Sequence, residues 1–135
     1  MAPNIITLIG SSKFMDYFST MMWEIEKRGV IALGLHWVVA VPERELDEVP
    51  DHLAEHEGVA DILDNLHLRK IDLADEVLLL AIGGYVGEST SKEIKYAASI
   101  GTSLMRIENW EQCLEWLLML DKILEEEEVT NAEAT

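Results

Sequence analysis

Two carboxylates, a phenol and three glycines fall within one stretch, Gly83-Gly84-Tyr85-Val86-Gly87-Glu88-Ser89-Thr90-Ser91-Lys92-Glu93. Glycines let a backbone come close to a ligand. Paired acids can divide the work at a glycosidic bond, one attacking the sugar carbon while the other orients the ligand or handles a proton. Glu93 is the better candidate for the nucleophile, and Glu88 or Tyr85 for assisting proton transfer. Gly83, Gly84, Gly87 and Ser89 would line the ligand. A structural role is equally available to the same residues. Thr90-Ser91-Lys92-Glu93 fits the Ser/Thr-x-x-Glu capping box, in which Glu93 would fold back onto a backbone N–H at the start of a helix. Spacing alone leaves both open.

A second group is Gly10-Ser11-Ser12-Lys13, a flexible turn with two hydroxyls and an ammonium where a helix begins. Free N–H groups there favour an anion, so a phosphate or a sugar hydroxyl would fit. The alternative is that Ser11 or Ser12 caps the helix and Lys13 is solvated. Neither a P-loop nor a GxGxxG pattern is present. His67 is a further candidate for the ligand site. His52 and His56 have the i, i+4 spacing of a helical metal pair but lack the HExxH glutamate, so no metal and no cofactor is expected. The lone Cys113 lies in a helical pattern and has no partner for a disulfide or a CxxC pair, so it reads as core filler.

These loops must be held by alternating strands and helices. Residues 4–9 form an apolar run stopped by Gly10, and Phe14, Phe18, Met21, Met22 and Ile25 mark one buried face of a helix over 12–28. Residues 30–35 resume as a strand. Residues 36–58 carry Pro42, Pro50 and many acids without a sustained period, which predicts a long loop with at most a helical turn. Helical spacing restarts at Val59 and runs to Asp75, which ends the helix before an almost purely aliphatic strand over 76–82, the pattern of a strand covered on both faces. A helix over 90–100, a strand over 103–107 and a terminal helix follow. Strand–helix alternation implies parallel strands. The expected fold is therefore α/β, a doubly wound, flavodoxin- or Rossmann-like sheet of about four or five strands in the order 2-1-3-4. Ligands of such sheets bind outside the strand carboxyl ends where the order switches, at the loops after strands one and three. One domain over residues 1–124 is expected, with 125–135 as an acidic, disordered tail.

Three stretches resemble the nucleoside 2-deoxyribosyltransferase superfamily, which also contains nucleoside monophosphate N-glycosidases: residues 5–14, 67–82 and 83–97. The first resembles the strand-one loop of that family, the second its Ile-x-x-Ala-Asp-x-Val segment, and the third its glycine-rich loop ending in Ser/Thr-x-x-Glu-Ile. By that resemblance Glu93 is the glutamate that attacks the anomeric carbon, Glu88 orients sugar or base, and Ser11 to Lys13 line the sugar or phosphate end. His67 stands where transferases often carry a carboxylate. The glycine-rich loop is also similar to that of the Lonely-guy phosphoribohydrolases, which cleave the same kind of bond. Both resemblances imply N-glycosidic chemistry on a nucleoside or its 5′-monophosphate, without a cofactor. A nucleotide-binding or sensing module without turnover, and a purely structural oligomer subunit, are the alternatives.

Composition narrows the partners. A formal charge of −16 with ten Lys and Arg opposes binding to nucleic acid polymers and anionic membranes. No apolar run approaches the roughly 20 residues of a membrane span, and no basic-apolar leader pattern opens the chain, so a cytoplasmic location is expected. The terminal helix carries one apolar stripe at Trp110, Cys113, Leu114, Leu117 and Leu124 and a second at Trp116, Met119, Leu120 and Ile123. With the first on the sheet, the second would be left for another copy of the chain. A homo-oligomer is expected, most simply a two-fold dimer, unless the 36–58 loop covers that face.

Overall fold

The structure, a computed structural model, describes residues 2–35 and 53–134. Strands β1 (Ile5–Gly10), β2 (Ile31–Leu33), β3 (Glu76–Leu80) and β4 (Ser103–Ile107) form one sheet in the order β2-β1-β3-β4, every pair parallel. The helices are α1 (Met15–Glu26), α2 (Leu53–His56), α3 (Ala60–Leu73), α4 (Glu88–Ser99) and α5 (Trp110–Ala134). The expected α/β architecture and strand order are thus those of the molecule. Of the expected long loop, 36–52 lies outside the described residues, and α2 is the helical turn within the rest.

Side-chain alternation along the strands divides the core in two. Ile6, Leu8, Leu78, Leu80 and Ile107 pack with Phe18, Met21 and Ile25 of α1 and with Cys113, Trp116, Leu117 and Leu120 of α5. The intervening Ile9, Val77 and Leu79 turn to the opposite face, onto Ile71 of α3 and Ala97 of α4. This is why strand three reads as an unbroken aliphatic run: both of its faces are covered. Thr7, the polar residue of β1's inner run, is buried without penalty because its hydroxyl donates to the Lys70 carbonyl at 2.7 Å.

Polar ties fix the rest of the frame. Asp75 does more than end a helix. Its Oδ2 accepts from the backbone N–H groups of Asn4 and Ile5 at 2.7 and 3.0 Å, pinning the first residues of β1 beside β3. Arg28 after α1 meets Asp121 of α5 at 2.6 Å, while Tyr17 meets the Trp110 ring at 6.4 Å, so α1 and α5 run side by side in the same direction.

Two expectations about the C-terminal region are corrected. Trp116 and Leu120 belong to the core, with Trp116 only 4% exposed and its indole N–H donating to Glu76, whereas Trp110 and Leu114 are exposed. Trp110, Cys113, Leu114 and Leu117 share the i, i+3, i+4, i+7 spacing with Cys113, Trp116, Leu117 and Leu120, so spacing does not separate the two sets, and packing against α1 and the sheet buries the second. The acidic segment 125–134 is not a disordered tail but the continuation of α5, in line with the helix-forming preference of glutamate. Glu127 accepts a hydrogen bond from the Ala2 amide, tying that turn to the N-terminal segment.

Candidate functional site

β1 ends at Gly10 beside Leu80, the last residue of β3, and the chain must turn away from both strand ends at this point. Gly10 has φ +152°, and a Cβ there would stand 2.6 Å from the Leu80 carbonyl oxygen, so only glycine fits. Ser11 caps the following 3-10 turn Ser12–Phe14 by accepting from the Lys13 N–H at 3.3 Å. The capping expected of Ser11 is therefore present, but Lys13 does not simply point into water. Its Nζ sits 3.3 Å from the centroid of the Tyr85 ring, and Phe14 meets that ring edge-on at 6.0 Å. The loops after β1 and β3 are thereby joined across the switch in strand order.

The loop after β3 begins with a 3-10 turn over Ile82–Gly84. Gly83 and Gly84 take φ of +67° and +85°, values that side chains other than glycine's disfavour. The Gly83 N–H donates to the Glu108 carbonyl at 2.9 Å, anchoring the loop to the end of β4. Gly87 is the N-cap of α4, and no side chain caps the helix. This excludes the capping box. α4 starts at Glu88, two residues before the expected Thr90, so Thr90 is already helical and buried, and Glu93 lies in the second turn, out of reach of the N-cap amide.

Glu93 instead points inward. It is one turn from Ala97, which packs on Ile9 and Leu79, so it lies on the sheet-facing side of α4 and nearer the strand carboxyl ends. It is only 7% exposed, and its Oε2 is buried with no hydrogen-bond partner. Burial, reinforced by the negative charge of Asp64, pushes its pKa up to about 7. A pocket of about 80 Å³ opens on it, lined by Asp64 and Leu68 of α3 and by Ser89, Lys92 and Glu93 of α4.

Of the residues nominated from the sequence, Glu93 and Ser89 share this pocket, and Lys13 and Tyr85 meet where the loops after β1 and β3 cross, with Gly10 and Ser11 just before Lys13 in the chain. Glu88 is exposed on the first turn of α4, and His67 is half-buried on α3, and neither lines the pocket. Ser12 is exposed within its turn. Asp64, Leu68 and Lys92 were missed. Asp64 and Leu68 stand at i and i+4 on one helix face, but nothing local marks that face as turned toward Glu93. A larger opening of about 280 Å³ lies against α1 and the start of α5, lined by Asp16, Tyr17, Thr20 and Trp110. No buried polar group lines it, which leaves the pocket at Glu93 as the candidate site.

Among the described residues no three His, Cys, Asp or Glu side chains are grouped to hold a metal ion, and no helix is long and apolar enough to cross a membrane. His36 and His52 lie outside the described residues. No model of a known protein family matches the chain, and no curated protein matches it.

Proposed function

We propose that this chain cleaves or transfers the N-glycosidic bond of a (deoxy)nucleoside or a nucleoside 5′-monophosphate, with Glu93 as the nucleophile. One observation carries the reading: a carboxyl with a buried, unpartnered oxygen faces a pocket at the strand carboxyl ends. Leaving such a group unsatisfied costs folding free energy, about 1–3 kcal/mol for a neutral one and more for a charge, and costs of this kind concentrate at functional sites. The resemblance of residues 83–97 to the deoxyribosyltransferase loop points to the same glutamate.

In the first step a Glu93 oxygen bonds to the anomeric carbon and the C–N bond breaks, its electron pair leaving with the base. The departing base takes up a proton from water, relayed by Glu88 on the exposed first turn of α4. In the second step water, or another base through its N–H nitrogen, attacks the same carbon, gives up its proton to solvent by the same relay, and releases the Glu93 carboxylate. Asp64, the second carboxylate of the pocket, stabilises the positive charge that develops on the sugar. At about 80 Å³ the pocket is well below the roughly 300–1,000 Å³ of whole-ligand sites, so the reacting edge of the sugar enters and the rest lies outside. Lys13 and the Ser11–Ser12 hydroxyls take the sugar or phosphate end. The same small volume favours, as a second reading, a nucleotide-binding module without turnover.

Incubating the protein with a panel of nucleosides and 5′-monophosphates and assaying free base separates the two. Base release from any member supports the proposal, and ligand binding with no release from any member replaces it with the second reading.

The oligomeric partner is proposed to be a second copy of the chain. Trp110, Leu114 and Leu118 are exposed at i, i+4 and i+8 on α5, with Leu118 68% exposed, an apolar stripe of the kind an isologous contact covers.

A further inference from the structure

The position of Lys13 is not what this chain's charge would lead one to expect. The protein has 26 acidic residues against ten basic ones, yet among the described residues no ion pair joins Lys13 to a carboxylate. Its ammonium rests on an aromatic face, 3.3 Å from the Tyr85 centroid and 5.8 Å from that of Phe14. Phe14 in turn buttresses the Tyr85 ring at an interplanar angle of 78°. An ammonium held by a carboxylate is neutralised, and an incoming anion must displace its partner. An ammonium held by a ring quadrupole keeps its full charge and presents its remaining N–H donors outward. The Tyr85 hydroxyl meanwhile lies toward Gly87, the N-cap of α4, where a Cβ would come within 3.5 Å of it.

We infer that Tyr85 is a positioning residue whose ring, not its hydroxyl, holds the Lys13 ammonium across the crevice so that it meets the anionic end of a phosphorylated ligand. The inference rests on the reading of the crevice as a nucleotide site, and it revises the proton-transfer role that the sequence offers for Tyr85. The buttressed ring fixes a flexible four-carbon chain in place before the ligand arrives, so the ordering cost of the lysine is not charged to binding. Tyr85 then governs affinity for the phosphate and leaves the bond-breaking step at Glu93 alone.

The test uses inorganic phosphate as the probe and two variants of an exposed residue, Tyr85→Phe and Tyr85→Leu. In the intact protein the Lys13 ε-methylene protons, bonded next to an ammonium 3.3 Å from the Tyr85 ring centroid, are expected upfield of those of the other lysines in NMR spectra, with Lys13→Arg supplying the assignment. That shift persists in Tyr85→Phe and vanishes in Tyr85→Leu, and added phosphate perturbs it. Phosphate affinity stays within about twofold in Tyr85→Phe and falls about two- to fivefold in Tyr85→Leu, the ratio that corresponds to an exposed cation–π contact. An equal loss in both variants means that the hydroxyl acts and overturns the inference, as does wild-type affinity in Tyr85→Leu. Neither readout needs turnover. A shifted, phosphate-sensitive Lys13 in a protein that releases no base would sink the glycosidic proposal and leave the positioning role standing.

Discussion

At the scale of a residue, Glu93 is held buried with an unpartnered carboxyl oxygen, a state that costs stability. Its pKa is raised to about 7 by burial and by Asp64, so the folded state binds its proton more tightly than the unfolded chain does. A raised carboxyl pKa contributes stability that is fully present below the unfolded value of about 4.5 and is lost as pH rises through about 7. Chemical denaturation at pH 5 and pH 8 checks this: the protein loses stability between the two, and Glu93→Gln loses less. Because the amide carries no charge to desolvate, Glu93→Gln is expected to be more stable than the natural protein at pH 8 by about 1–3 kcal/mol. A destabilised Glu93→Gln at pH 8 would mean that the carboxylate has a partner. Under the proposed function the same titration would set the rate. Attack requires the ionised form, so kcat/KM for base release rises with pH and levels off above about 7, and a profile flat from pH 5 to 8 would assign attack to another group.

At the scale of an element, what matters is how two strand ends deliver two loops to one place. Gly10 allows β1 to pass within contact of Leu80, and Gly10→Ala forces a Cβ against that carbonyl at a φ that alanine avoids. The expected loss is at least about 1 kcal/mol, read as a lower urea midpoint, and it spreads to ligand binding because the Lys13 turn moves with it. The order 2-1-3-4 was legible because helical and strand periodicities alternate cleanly, with glycines at the stops. The start of α4 was not. Thr90 to Glu93 satisfies the capping-box spacing, whereas the helix begins at Glu88 with Gly87 as an N-cap that has no side chain to signal it. Glu93 could be picked out from the sequence, but its burial could not. Asp64 was illegible for a related reason: its partnership with Glu93 depends on how α3 lies against α4, a tertiary relation no local spacing encodes. On α5 two apolar stripes competed, and packing against α1 and the sheet buried part of each, Cys113 and Leu117 from the first with Trp116 and Leu120 from the second, leaving Met119 exposed.

At the scale of the whole molecule, the sheet carries a core on each face, and the candidate crevice lies at the carboxyl edge, with Lys13 on the turn after β1 and Glu93 in the second turn of α4. Burial of Trp116 moves the exposed apolar stripe to Trp110, Leu114 and Leu118. A dimer through this stripe would read about twice 15.2 kDa by light scattering at micromolar concentration, and Leu118→Glu, at an exposed position, would return it to the monomer with its fold intact. A monomeric natural protein at that concentration removes the interface. The most direct measurement on the crevice itself is acid-quenched turnover of the best substrate from the panel, followed by peptide mass analysis and repeated with Glu93→Gln. The expected result is a sugar adduct on the peptide containing Glu93 and a fall in base release of roughly three orders of magnitude or more in the variant. Base release at an undiminished rate by Glu93→Gln, with no adduct on that peptide, would contradict the assignment.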